Sequence, residues 1–177
     1  MFLIPEEYYN DESLESYLLR ISHANSFESY RLLSGALKDH LKKTDINASG
    51  AFPLELSQVN IFHAKQSSSF RIRAIHLVEK CIGLPQWQLY NLAVKHSLAH
   101  FSRTYAVVVR HHLNIPRCFI RVNTIPVCPQ CLDESAYIRH NWHLIPYAAC
   151  HQHKCVLVER CPSCGSLLDY MKNESIT

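Results

Sequence analysis

Residues 128–164 read CPQCLDESAYIRHNWHLIPYAACHQHKCVLVERCPSC. Three short clusters punctuate them: Cys128-Pro129-Gln130-Cys131, Cys150-His151-Gln152-His153 and Cys161-Pro162-Ser163-Cys164. Two residues separate the ligand types within each cluster, and 18 residues separate Cys131 from Cys150. A Cys-x2-Cys pair followed by a second pair about 15–20 residues on is the spacing of a structural zinc site. Thiolates and a neutral imidazole suit Zn²⁺, which takes nitrogen and sulfur ligands in a tetrahedron. Cys128, Cys131, Cys150 and His153 are therefore the expected metal ligands, with His151 or Cys155 as substitutes for His153. Three sulfurs and one imidazole leave no open position, so the site is expected to hold structure and not to do chemistry. Buried thiols that share this spacing by accident are the plain alternative, and the threefold repetition of the spacing argues against it.

Cys161 and Cys164 form a possible second metal half-site. Only 13 residues follow Cys164, and none is Cys or His. Either the pair borrows Cys155 and one further ligand, or its partners lie beyond residue 177. The second reading is preferred, with 119–177 as a truncated zinc-ribbon module. Cys81 and Cys118 sit among apolar residues and are expected to be core thiols.

Working outward, residues 1–118 are expected to form a helical domain, giving a mainly α protein with a small zinc ribbon behind it. Asn10 or Asp11 is the expected N-cap of a first helix, with Glu12 and Glu15 where the helix dipole favours acids. Leu14, Tyr17, Leu18, Ile21 and Ala24 recur at helical spacing, and Asn25-Ser26 ends the run. A second helix is expected over 29–41, with Tyr30, Leu33, Ala36, Leu37 and Leu41 as its buried stripe. Residues 44–53 are rich in turn formers and read as a loop. Leu54, Leu56, Val59 and Phe62 suggest a short helix, followed by a polar break over 66–69.

Ile72, Ile75, Val78 and Ile82 define another helix, Gly83 stands at a C-cap position, and Pro85 opens the next. Helix, Gly-containing turn, helix is the outline of a helix-turn-helix near 70–97, although a plain αα-hairpin has the same outline. Gln86, Gln88, Asn91, Lys95 and His96 would then offer amide and cationic groups to bases and phosphates. Residues 98–115 are helical or mixed; the run Tyr105-Ala106-Val107-Val108-Val109 also suits a buried strand. Pro116 marks a boundary, after which short β-like pieces are expected.

The net charge is +3, but its distribution is uneven. Residues 80–132 contain no Asp or Glu and carry six cations: Lys80, Lys95, Arg103, Arg110, Arg117 and Arg121. The first 79 residues hold ten of the 15 acids. Such asymmetry suggests a positive face for phosphates, with Arg103 and Arg110 added to the candidate nucleic-acid or partner contacts. No phosphate-cradling glycine loop and no His-Glu-x-x-His motif occurs, and the His-x-Glu half of a zinc-deaminase signature is missing. An enzyme is not expected. No apolar stretch reaches the length of a membrane span, and the N-terminus lacks the features of a signal peptide. A cytoplasmic location follows, where thiols stay reduced.

The chain also resembles a family. Glu12-Ser13-Leu14-Glu15-Ser16-Tyr17-Leu18-Leu19-Arg20-Ile21, followed by Ala24-Asn25, is similar to the opening signature of TniQ-family transposition proteins. Ile82-Gly83-Leu84-Pro85 with Leu89 is similar to the family's helix-turn-helix stretch. Cys128-Pro129-x-Cys131-Leu132, Trp142, Cys150-x-x-His153 and Cys161-Pro162-x-Cys164-Gly165 are similar to its zinc region. The resemblance spans residues 5–168. It implies a non-catalytic targeting factor of a Tn7-like element that links target recognition to the transposon's AAA+ regulator. Recognition would be of DNA directly or, as favoured here, of an RNA-guided Cascade complex in a CRISPR-associated transposon. A homodimer is implied, and no small-molecule substrate. A sequence-specific helix-turn-helix regulator with a structural zinc site is the alternative.

Overall fold

The computed structural model describes residues 3–65, 69–103, 105–122 and 124–176. Among them the chain is mostly helical, with seven α-helices and one small sheet. Helix α1 spans Leu14–Ala24 and α2 spans Tyr30–Lys42. Their apolar stripes fall where the periodicity puts them: Leu14, Tyr17, Leu18, Ile21, Tyr30, Leu33, Leu37 and Leu41 are all buried. The cap of α1 differs from expectation. Ser13, not Asn10 or Asp11, is the N-cap, and its hydroxyl accepts from the Ser16 N–H at 3.2 Å. Ser29 caps α2 in the same way through the Leu32 N–H.

The expected loop at 44–53 contains a helix, α3, over Ile46–Ala51. Asp45 explains it: one carboxylate oxygen accepts from the Asn47 and Ala48 N–H groups, and the other pairs with Arg73. The short helix expected around 54–62 is instead two 3₁₀ turns, Leu56–Gln58 and Ile61–His63. Buried Arg71 fixes this stretch by donating to the carbonyls of Ala51 and Gln58, each at 2.6 Å. Residues 66–68 of the expected polar break lie outside the described residues, and Ser69 already belongs to α4, Ser69–Ile82.

The end of α4 is as expected. Gly83 adopts φ +79°, Leu84 N–H donates to the Glu79 carbonyl and Gly83 N–H to that of Lys80. This paired closure needs a residue that tolerates left-handed backbone. The next helix, α5, is shorter than the sequence suggests and covers only Gln88–Leu92. Trp87 precedes it at φ +78°, an uncommon conformation for a bulky residue. The buried Glu79 carboxylate holds it there, accepting from the N–H groups of Trp87 and Tyr90 and contacting His76 Nδ1 at 2.8 Å. Ala93 is extended, and Lys95 and His96 lie in a strand. The Trp87, Tyr90, Val94 spacing fits a helix, but Val94 N–H is taken by Asn60 Oδ1 at 2.8 Å, a partner 34 residues away.

Strands β1 (Lys95–His100), β2 (Ala106–Arg110) and β3 (Leu113–Pro116) form an antiparallel meander in that order. The β-branched run at 107–109 thus resolves as strand. A two-residue turn, His111-His112, joins β2 to β3, with His111 at φ +51°. Val108 and Ile115 pack on Phe62 and Val94 in a small core of their own. Arg110 is buried, contrary to its expected role as a contact residue. Its guanidinium donates to the carbonyls of Asn10 at 3.1 Å and Glu12 at 2.7 Å, tying the sheet to the chain ahead of α1.

After Pro116, short pieces replace regular strands. Isolated bridges join Ile120 to Leu144, Val127 to Val158, Ala149 to Val156 and Arg160 to Leu167, around the short helix α6, Pro129–Glu134. A final turn, α7, covers Tyr170–Asn173. Cys81 is buried as expected; Cys118 is exposed, in a 3₁₀ turn (Arg117–Phe119) that buries none of its residues.

Candidate metal centre

The cysteine-rich region is seated on the start of α1. Ser13 N–H donates to the Ile138 carbonyl at 3.0 Å, Ile138 N–H to Ser16 Oγ at 2.9 Å, and His140 N–H to the Asp11 carbonyl at 2.7 Å. Tyr137 Oη donates to Asp11 Oδ1 at 2.9 Å, and Arg139 pairs with the other Asp11 oxygen. Trp142, fully buried, and the three thiols Cys128, Cys131 and Cys150 belong to the same hydrophobic core as Leu14, Leu18 and Ile21. Apolar burial and the hydrogen-bonded seat together place the Cys-x2-Cys pair.

Pro129 opens α6 one residue after Cys128, so the two sulfurs of the first pair lie on the first turn of a short helix. The second cluster forms a turn closed by Lys154 N–H on the Cys150 carbonyl at 2.9 Å, with Lys154 at φ +55°. Folding brings Cys128, Cys131, Cys150 and His153 together, with one ligand atom from each all within 4.8 Å of one another. Cys131 Sγ stands 3.6 Å from Cys150 Sγ. His153 Nδ1 stands 3.4 Å from Cys128 Sγ, 3.3 Å from Cys131 Sγ and 3.7 Å from Cys150 Sγ. A tetrahedron with zinc–sulfur arms of about 2.3 Å and a zinc–nitrogen arm of about 2.0–2.1 Å has edges of roughly 3.5–3.8 Å. These four separations lie within a few tenths of an ångström of such edges.

Without an ion, the surroundings of the cluster shift its groups in opposite directions. Burial pushes the Cys131 thiol up to about 12 even though the Arg139 guanidinium beside it acts in the other direction. Burial also acts to raise Cys150, but N–H donors from His153 and Gln152 and the His153 ring outweigh it and bring that thiol down to about 6. His153 is raised to about 9, chiefly by its hydrogen bond to Glu134 and then by Cys150. Glu134 Oε1 lies 3.0 Å from His153 Nε2, which leaves Nδ1 facing the sulfurs. A carboxylate behind a ligating imidazole fixes its orientation and tautomer. Sequence reasoning missed Glu134 and Arg139. The only available signal was their place, three and eight residues beyond Cys131.

Cys155, weighed as a substitute ligand, has its sulfur 3.5 Å from Cys128 Sγ. His151 turns away, its Nδ1 2.7 Å from Tyr147 Oη. Cys161 and Cys164 stay apart from the cluster. Their turn is closed by Gly165 N–H on the Cys161 carbonyl at 2.8 Å, and Cys164 Sγ lies 2.9 Å from Ser166 Oγ. Among the described residues no further His, Cys, Asp or Glu joins them in a metal-sized group.

Of the other candidate contacts, Gln86, Asn91 and Arg103 are exposed and Gln88 is half-buried. Lys95 is half-buried too, its ammonium 4.1 Å from the centre of the Tyr90 ring. They do not form one face of a helix, because α5 ends at Leu92.

The TniQ family model matches residues 4–157, which takes in α1, the sheet and all four clustered ligands. The chain belongs to the TniQ family. That family's work is DNA transposition, so this chain is placed among proteins of the transposition machinery. Among curated proteins, none matches this sequence. No described helix is long and apolar enough to cross a membrane.

Proposed function

We propose that this TniQ-family chain is a non-catalytic targeting adaptor for transposition of a Tn7-like element. It would link target recognition, by an RNA-guided Cascade complex or by DNA, to the transposon's AAA+ regulator in the cytoplasm, acting as a homodimer. The observation that carries the reading is the family match over residues 4–157 on a chain that, among its described residues, gathers a Cys₃His set of ligands. Zn²⁺ held by Cys128, Cys131, Cys150 and His153 would supply structure alone, since four protein ligands fill a tetrahedral ion. A domain division near 118/119 belongs to the same proposal, with the Cys161–Cys164 turn as a further half-site.

The alternative, a sequence-specific helix-turn-helix regulator, loses support from the five-residue α5 and from the burial of Arg110. A recognition helix needs several side chains along one groove. Co-purification with the transposon's Cascade and regulator proteins, with metal content measured on the same sample, tests the adaptor. Retention of both partners and one zinc per chain is expected. A chain that captures neither, yet binds one DNA sequence with affinity unaffected by competitor DNA, is a regulator instead.

A further inference from the structure

A fifth donor stands beside the four that converge at the candidate metal centre. Cys128, Cys131, Cys150 and His153 form the tight group, and Cys155 lies outside it with its sulfur 3.5 Å from Cys128 Sγ. Backbone bonds fix that placement. Cys150 N–H donates to the Cys155 carbonyl at 2.8 Å, Lys154 N–H closes the turn on the Cys150 carbonyl, and Ala149 bridges Val156. Exposure separates these sulfurs. Cys128, Cys131 and Cys150 are buried, whereas Cys155 is half-buried. A small oxidant in solvent therefore reaches Cys155 before the three ligand thiols, because susceptibility follows access. Cys131 Sγ and Cys150 Sγ are nearly as close to each other, at 3.6 Å, but both are shielded.

We propose that Cys155 is a redox-sensitive thiol that, oxidised by a hydroperoxide, forms a disulfide with Cys128 and so opens the cluster. In the first step the Cys155 sulfur attacks hydrogen peroxide. The O–O bond breaks, a sulfenic acid S–OH is left on Cys155, and one water departs with the thiol proton. In the second step the Cys128 thiolate attacks the Cys155 sulfur. The S–S bond forms, the S–OH bond breaks, and the hydroxide takes a proton from solvent to depart as a second water. Hydrogen peroxide is reduced by two electrons and the two sulfurs are oxidised. A metal ligand must be a thiolate, so the Cys128 sulfur no longer serves once it is in a disulfide, and only Cys131, Cys150 and His153 remain. The metal would then be lost, a consequence that rests on the zinc reading above. In a reducing compartment such a disulfide is transient, which suits a sensor and not a structural crosslink.

The test uses the full chain, millimolar hydrogen peroxide, a colorimetric chelator to follow zinc, and peptide mass spectrometry to map disulfides. Wild type is expected to form the Cys128–Cys155 disulfide and to release zinc in step with it. Dithiothreitol with added zinc is expected to restore the reduced, loaded chain. C155S keeps all four ligands, so without peroxide it should hold zinc and melt as wild type does. With peroxide it should release zinc at least about fivefold more slowly, and C155A should match it. Release from both variants as fast as from wild type overturns the proposal. So does a first disulfide, within residues 128–155, that joins Cys131 to Cys150. Loss of zinc from both variants before peroxide is added makes Cys155 a ligand and overturns it too. A wild-type chain isolated without zinc counts against the metal reading alone. In that chain a Cys128–Cys155 disulfide as the first within 128–155 sustains the proposal, and any other pair there overturns it.

Discussion

Helices α1 to α4 and the cysteine-rich region bury their residues by different means. The first group closes on leucine and tyrosine stripes that match the helical period, and its ends are capped by Ser13, Ser29 and Asp45. The second, from residue 119 on, has isolated bridges where strands would be and relies on the Cys₃His cluster and on its seat against residues 11–16. A segment with so little regular structure cannot bury enough apolar surface alone, so ligand binding there would be folding energy. The two regions nevertheless share one core through Trp142 and the cluster thiols. The difference teaches that one region should hold its shape without a metal and the other should not.

Removing the proposed zinc should break the comparison hardest. Chelation at neutral pH, or C128S/C150S, is expected to release amide protection across 128–158 and to lower melting by more than about 10 °C, in keeping with zinc-site energies of roughly 10–16 kcal/mol in small modules. Protection in α2 should survive, as read by hydrogen exchange at low temperature. Unchanged exchange across 128–158 would remove the metal from the account. Next in size is W142A. Loss of a fully buried Trp is expected to cost about 3–5 kcal/mol in a denaturant melt, and the shared core predicts one transition, not two.

Glu15 gives a smaller effect that belongs to the helical side. Burial raises its carboxyl to about 7, against an ordinary 4.5, although the hydrogen bond from Asn60 Nδ2 at 2.6 Å favours the ion. The fold therefore prefers the protonated form. Its stabilising contribution is complete below about pH 4.5 and is lost as pH rises through 7. E15Q keeps an acceptor for Asn60 and cannot ionise. Wild type is expected to lose about 3 kcal/mol relative to E15Q between pH 4.5 and 8, a difference in which the metal's own pH dependence cancels. A flat difference would mean that Glu15 is ionised throughout. Smaller again is S29A, which removes the α2 cap and should cost about 1 kcal/mol with or without chelator.

These partners also mark where the sequence was legible. The stripes of α1 and α2, the Gly83 closure and the four converging ligands follow from local period and spacing, which a sequence displays directly. Glu12 and Glu15 look like ordinary acids of a first helical turn. Both are buried, and what holds them is partly local (Ser16 and Arg20 on Glu12) and partly remote (Asn60 on Glu15). Arg110 looks like a surface cation, yet its partners are carbonyls about a hundred residues earlier. The length of α5 depends on Glu79 and Asn60, neither of which lies within it. Contacts made across the fold leave no periodic trace, and there the reading failed.

The two cysteine pairs with a Cys-Pro-x-Cys pattern sharpen the comparison at its smallest scale. They are alike in sequence but differ in surroundings. Cys128 and Cys131 are buried in the shared core and face Cys150 and His153. Cys164 is exposed and Cys161 half-buried, in a turn held by its own backbone bonds to Gly165 and Ser166. Surface substitutions away from caps and cores change stability by about 0.5 kcal/mol or less. C161S/C164S should stay within that range and keep one zinc per chain by mass spectrometry, whereas C128S/C131S should lose the metal altogether. A loss of metal in C161S/C164S comparable to that in C128S/C131S would mean that the second turn completes a site with ligands from outside the described residues, and that spacing, not burial, decides where this chain holds zinc.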